Sequence, residues 1–310
     1  MPSTRLIAID MDGTLLHSDG HVSERNLAAL HAAEAQGIEI AIATGRRHCY
    51  AMRVLRELDR PAHTALISSN GTVIRTLGSE LLDRTHMPVE TARWLCEHVR
   101  EFRGTLVLTF DKVLADGEDE RGALVCEGVE ELNESIGRWM QVNEPYIAHV
   151  TPIEHALDDA ALIQMMLCGP IDRMREAEAH LLTDPRITNM DGVCEPGIEV
   201  TLHRTEYPHR DLCIVDILPA GCSKASALLH LAELRGIGAS EILAIGDNWN
   251  DVPMLQMAGQ SAVMANAPAD LRALAAERGW LIAPSNDEDG VASVIEAALT
   301  GTRDLSTSLL

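Results

Sequence analysis

The chain has 310 residues, 46% of them hydrophobic and 23% charged, a composition that buries a sizeable core and fits one large or two ordinary domains. A net charge of −22 excludes the basic footprint that nucleic acid or an anionic membrane surface requires, and the apolar runs are strand-sized with polar interruptions, too short for a membrane span. Seven scattered cysteines without a C-x-x-C pair, and an N-terminus without a basic region before a long apolar stretch, point to reduced thiols, no signal peptide and a cytoplasmic location.

In chain order, Arg5–Asp10 reads as a strand, and Ser23 caps the periodic helix "ERNLAALHAAEAQG", which Gly37 stops. "IEIAIA" (38–43) is a buried strand, followed by a helix near Arg47–Leu58 and a third strand, "TALIS" (64–68). Between about 84 and 216 the order is mixed. "TLVLTF", "KVLADG", "IQMMLCG", "GIEVTL" and "CIVDIL" read as strands, with helices near 89–103, 126–139 and 170–182. The βα rhythm then returns: helix Lys224–Arg235, strand "EILAIG" (241–246), a helix from about Asp251 and strand "SAVMA" (261–265). Helix "PADLRALAAERG", strand "WLIA" (280–283) and a last helix near Gly290–Leu299 complete it. Such alternation predicts a doubly wound α/β core with a mostly parallel sheet, built from residues 1–83 and 217–310. An α+β domain, residues 84–216, is inserted into it.

Ligands of an open parallel sheet bind beyond the carboxyl ends of its strands, and polar signals fall there. Asp10 and Asp12 follow the first strand, Thr44-Gly45-Arg46 the second, and "GDNWND" (246–251) the strand at 241–246, while Lys224 opens the helix after "PAGCS". Asp10, Asp12 and Asp247 can converge on one spot, and oxygen-only ligands suit Mg²⁺. Asp10 is then the candidate nucleophile, since carboxylates form aspartyl-phosphates. Asp12 is placed to protonate the leaving oxygen and later to deprotonate water. The Thr44 hydroxyl and nearby backbone N–H groups would hold phosphoryl oxygens, and Lys224 would cancel developing charge. Of 25 basic residues only Lys112 and Lys224 are lysine, and a compact ammonium fits between carboxylates and a phosphate where a planar guanidinium does not. Taken singly, each signal also reads as a turn, a cap or a solvated helix residue.

Together, "DMDGTLL", "ATGR", "SSNGTVI", "PAGCSKASAL", "GDNWNDVPML", "AVMANA" and "SNDEDGVASVI" resemble the haloacid dehalogenase-like (HAD) superfamily, most closely its Cof-type hydrolases of subfamily IIB. The resemblance spans nearly the whole chain. It implies a Rossmann-like core with a cap inserted after the third core strand, the cap choosing the substrate. It also implies that Asp10 is nucleophile and metal ligand, and that Asp12 is the acid/base, ligating through its backbone carbonyl. The Met11 backbone, Thr44, Gly45, Lys224 and Asn250 match phosphate-contacting positions. Asp247 matches the acidic metal ligand, Asp251 a supporting acid behind it, and Asn70 a position near the cavity. Ala225 and Ala265 replace glycines usual in the family. The function expected is Mg²⁺-dependent hydrolysis of a small phosphorylated metabolite, a sugar phosphate first. A phosphomutase using the same intermediate and a non-catalytic phosphate-binding regulator are the alternatives.

Overall fold

Leu6–Asp10 forms β1, buried along its whole length. Its alternation explains the apolar run: Ile7 and Ile9 enter one core cluster, while Leu6 and Ala8 enter another on the opposite face. A strand covered on both faces reads as continuously hydrophobic, and each large side chain so buried contributes about 1.5–3 kcal/mol. The structure is a computed structural model that describes residues 4–158, 162–189 and 195–301.

After β1 come α1 (Glu24–Ala35), β2 (Glu39–Ala43), α2 (His48–Leu55) and β3 (Ala65–Ser68). The Ser23 side chain accepts the Asn26 N–H, as its capping role predicts. Two strands unseen in the sequence follow, β4 (Val73–Thr76) and β5 (Leu81–Arg84). β4 runs antiparallel to β3, so the chain does not leave directly after the third strand.

Two compact units result, Met1–Leu82 with Ser223–Leu310, and Asp83–Cys222. The second unit contains α3 (Val89–His98), β6 (Leu106–Phe110), β7 (Leu124–Cys126), α4 (Glu130–Asn143) and β8 (Ile147–His149). It continues with β9 (Leu162–Gly169), α5 (Ile171–Leu181), β10 (Ile187–Asn189), β11 (Val200–Tyr207) and β12 (Leu212–Pro219). Its seven strands form one sheet in the order β10-β11-β12-β9-β6-β7-β8. Leu106 and Leu108 pack with α3 and α5 on one face, and Val107 packs with α4 on the other. The expected boundary at 216/217 falls inside β12, whose Ile217 and Leu218 still pair with Leu202 and Thr201 of β11, so the unit extends to Cys222. "KVLADG" is no strand: Val113 makes only an isolated bridge to Asp119, and the segment closes a turn through Gly117.

The chain returns through α6 (Lys224–Leu234), β13 (Ile242–Gly246), α7 (Val252–Met257), β14 (Gln260–Met264), α8 (Ala269–Arg278), β15 (Leu281–Ala283) and α9 (Gly290–Thr300). The sheet of this unit has eight strands, ordered β15-β14-β13-β1-β2-β3-β4-β5. Helices α1, α2 and α9 cover one face and α6, α7 and α8 the other, as a doubly wound sheet requires. β1 lies between β13 and β2, parallel to both, where the strand order reverses. Register pairs Asp10 with Ala43 and Ile9 with Ile245, which brings Asp10, Thr44 and Asp247 to one edge.

Candidate active site

Asp10 ends β1 almost wholly buried, and its Oδ1 accepts a hydrogen bond from Lys224 Nζ at 2.5 Å. Lys224 is the first residue of α6, fixed there by Ser223, whose side chain accepts the Ser226 N–H in a capping box. The same ammonium donates to Asp251 Oδ1 at 2.6 Å, and Asp251 Oδ2 accepts the backbone N–H groups of Asp247 and Asn248 at 3.0 and 3.1 Å. Asp251 therefore spends both oxygens on holding Lys224 and shaping the loop that presents Asp247. Asp247 Oδ1 receives the Thr14 hydroxyl at 3.2 Å, and Asn266 Nδ2 ties Gly13 O at 2.8 Å to Asp247 Oδ2 at 3.5 Å. Gly13 is required here twice over. Its φ is +77°, and a Cβ on it would stand 2.4 Å from Asp247 Oδ2.

Electrostatics divides these groups. Burial, strengthened by the charge of Asp251 and only partly opposed by Lys224, pushes Asp10 up to about 7. Withdrawal from water, then the charges of Asp10 and Asp251, raises Asp247 well above the usual carboxylate range. Burial works against the Lys224 charge, but Asp10 and Asp251 together outweigh it and keep the ammonium protonated above the ordinary lysine range. Oxygens of Asp10, Asp247 and Asp251 lie within 4.8 Å of one another. One ammonium among three acids leaves negative charge uncompensated, and an all-oxygen donor set fits a hard divalent cation such as Mg²⁺. Asp251 is held by the ammonium and two backbone N–H groups. Asp10, by contrast, has one oxygen bound to Lys224, and among the described residues Asp247 meets only a hydroxyl at 3.2 Å and an amide at 3.5 Å, so Asp10 and Asp247 are the side chains that fit as direct ligands.

The neighbouring strand end supplies a different chemistry. Thr44 is buried, and its Oγ1 accepts the Arg46 N–H at 3.1 Å, which leaves the Thr44 hydroxyl proton to donate elsewhere. The loop after β3 is laid on this turn, with Ser69 N donating to Arg46 O at 2.9 Å and Asn70 N to Thr44 O at 3.1 Å. Ser69 and Asn70 both have positive φ, +48° and +53°, a strained pair of non-glycine residues of the sort held at functional sites. That strain turns the Asn70 amide over Gly45, where a Cβ would come within 3.1 Å of Asn70 Oδ1; the same oxygen accepts from Asn250 Nδ2 at 3.4 Å. Met11 opens the turn that carries Asp12, its carbonyl accepting Leu16 N–H at 2.9 Å.

The structure thus places Asp10, Lys224, Asp247 and Asp251 in one hydrogen-bonded group, and Thr44, Asn70 and Asn250 in a second, with Gly45 packed against Asn70. The Asp12 carboxylate belongs to neither, being paired with Arg46. Thr14, Arg46 and Asn266 sit in motifs singled out in the sequence, yet nothing there gave them a role. Hydroxyl, guanidinium and amide groups next to motif acids were the available signal.

A family model described as haloacid dehalogenase-like hydrolase matches residues 7–295. The chain is 30% identical over 308 residues to the 5-amino-6-(5-phospho-D-ribitylamino)uracil phosphatase YwtE of Bacillus subtilis, covering 96% of this chain and 99% of that protein. It is 27% identical over 274 residues to the HMP-PP phosphatase of Escherichia coli O157:H7, with 87% of each covered. Among solved structures, a haloacid dehalogenase-like hydrolase from Bacteroides thetaiotaomicron superposes with a TM-score of 0.71 at 27% identity, covering 95% of this chain and 99% of that one.

Proposed function

The chain belongs to the haloacid dehalogenase-like hydrolase family, and from that premise we propose a Mg²⁺-dependent phosphatase that hydrolyses small phosphorylated metabolites, sugar phosphates foremost, through a phosphorylated Asp10. One observation carries the reading. A buried lysine holds one oxygen of Asp10, while among the described residues the other oxygen receives no hydrogen bond, and Asp247 stands beside it. An oriented carboxylate with an open oxygen is the form a nucleophile requires.

Asp10 attacks phosphorus, and the bond from phosphorus to the leaving oxygen breaks as Asp12 supplies that oxygen with a proton. Asp12, now a carboxylate, takes a proton from water, whose oxygen attacks the phosphoryl group. Cleavage of the Asp10–phosphorus linkage returns Asp10 and releases inorganic phosphate. Thr44 Oγ1, the Met11 and Gly45 backbone and the Asn250 amide are positioned to bind phosphoryl oxygens, and Lys224 offsets charge at Asp10. Asp10, Asp247 and the Asp12 carbonyl would hold Mg²⁺, which when bound neutralises phosphoryl oxygens; Asp251 supports them from behind. Asn70 borders the same place.

The name of the Bacillus relative specifies a phosphoribityl compound, and that of the E. coli relative a phosphatase of HMP-PP. Both support a small phosphorylated substrate; the ribityl chain supports a sugar-like one. The described cysteines, Cys49, Cys96, Cys126, Cys168, Cys213 and Cys222, are buried, while Cys194 lies outside the described residues. Among the described residues no helix is long and apolar enough to cross a membrane.

The test measures inorganic phosphate from an aryl phosphate and a panel of hexose and pentose phosphates, with and without EDTA. Release that needs Mg²⁺ and disappears in Asp10→Asn is the expected result. An isomerised sugar phosphate without free phosphate would replace the reading by a mutase. No turnover of any phosphate ester would leave a phosphate-binding protein.

A further inference from the structure

We propose that Arg46 is the positioning residue for Asp12: its guanidinium fork sets the plane of the carboxylate that gives and takes the proton. The inference rests on the phosphatase reading and adds a residue to it. Arg46 Nε donates to Asp12 Oδ2 at 2.8 Å and Nη2 donates to Oδ1, so both carboxylate oxygens are held. Two parallel N–H···O bonds fix orientation as well as distance, which a single ammonium cannot do.

Asp12 needs such a partner. Its side chain is 50% exposed, and it stands next to Gly13 in a turn rather than in a strand or an α-helix. Proton transfer in the transition state requires a group held within hydrogen-bond reach. Arg46 is itself fixed. Its guanidinium lies over the Tyr50 ring, 4.9 Å from the centroid; its N–H binds Thr44 Oγ1 and its carbonyl receives Ser69 N–H. One residue thereby couples the turn after β2, with its Thr44 hydroxyl, to the acid after β1. A half-exposed ion pair adds little to stability, so a structural purpose explains this arrangement poorly. Each carboxylate oxygen carries two lone pairs. The fork occupies one on each and leaves one on each for the proton that moves to the leaving oxygen and, in the second step, arrives from water.

The experiment is a double-mutant cycle of Arg46→Ala and Asp12→Asn, run with a hexose 6-phosphate and with 4-nitrophenyl phosphate, whose leaving group departs without a proton. Arg46→Ala is expected to lower kcat on the hexose phosphate about 10²-fold. The loss on the aryl ester should be about tenfold smaller, and the double variant no slower than Asp12→Asn alone. Arg46→Lys should recover less than about tenfold, because one ammonium replaces a fork. Should Arg46→Ala not fold, Arg46→Gln carries the same comparison. Equal losses on both substrates, losses that multiply in the double variant, or an effect confined to KM would overturn the proposal and place Arg46 on the phosphoryl group or in the fold. Asp10→Asn serves as the separate control. Full activity there overturns the phosphatase reading and this proposal with it; an inactive Asp10→Asn leaves the cycle to judge Arg46 alone.

Discussion

Lys224 Nζ lies 2.5 Å from Asp10 Oδ1 across 214 positions of sequence, and the side chain that makes this contact is 1% exposed. The ammonium is shared with Asp251, so a single buried cation stands between two acids. Replacing it by methionine keeps the stem but leaves both carboxylates without their partner. Lys224→Met should lose about 3–5 kcal/mol of stability, as breaking a buried pair does, together with activity. Urea unfolding measures the first and phosphate release the second. A stability loss below about 1 kcal/mol would mean that Lys224 does not hold these two carboxylates in the fold.

Asp251 holds the lysine with one oxygen and two backbone N–H groups of the Asp247 loop with the other. Any effect it has on a bound cation would run through the groups it orients. Asp251→Asn retains the size of the side chain and should weaken Mg²⁺ binding about 10–100-fold, the range for partners that orient ligands. Calorimetric titration of Mg²⁺ provides the check, and unchanged affinity would remove Asp251 from that role.

The pH dependence of the metal-free protein follows from Asp10. Its carboxyl sits at about 7 in the fold against 3.8 ordinarily, first because it is buried and then because Asp251 repels its charge. Between those values the native chain binds more protons than the unfolded one, so stability falls as pH rises, and the penalty is complete above about 7. Asp247 contributes in the same direction. Thermal melts in EDTA should therefore show a lower Tm at about pH 8 than at about pH 6, a slope that Asp10→Asn flattens. Adding Mg²⁺ should stabilise most at the higher pH, where Asp10 has lost its proton. A Tm that rises across this interval in EDTA would contradict the assignment.

Gly13 joins a positive φ to a close approach, its missing Cβ facing Asp247 Oδ2. Gly13→Ala should cost at least about 1–2 kcal/mol from the left-handed backbone alone, and should displace Asp247 and weaken the cation site. Differential melting with and without Mg²⁺ separates the two effects. A variant with wild-type Tm and wild-type Mg²⁺ stabilisation would show that the turn has room to relax.

The candidate site was legible where chemistry is written in residue type. Asp10, Thr44, Lys224 and Asp247 each stand at the end of a strand or the start of a helix, and those ends follow from where the apolar runs break off into polar residues. Less legible were β4 and β5, because four-residue strands such as "VIRT" and "LLDR" hold too little pattern to distinguish from loop. "KVLADG" erred the other way: its apolar residues suggested a strand, but the turn at Gly117 and a lone Val113–Asp119 bridge prevail. The unit boundary moved to Cys222 for a related reason. Pairing with β11 carries β12 through to Pro219, and hydrogen-bond partners distant in sequence leave no local mark.

From the sequence alone came the alternating strands and helices that carry the acids, the parallel core and the identity of the acids, since hydrophobic periodicity and side-chain chemistry are properties of neighbouring residues. Only the tertiary structure decided how those acids divide: Asp10 and Asp247 with oxygens to offer, Asp251 occupied behind Lys224, and Asp12 turned into the fork of Arg46. The reason is physical. A carboxylate's role depends on which donors reach it through space, and β1, β2, β13 and α6 bring those donors together only when the sheet is assembled.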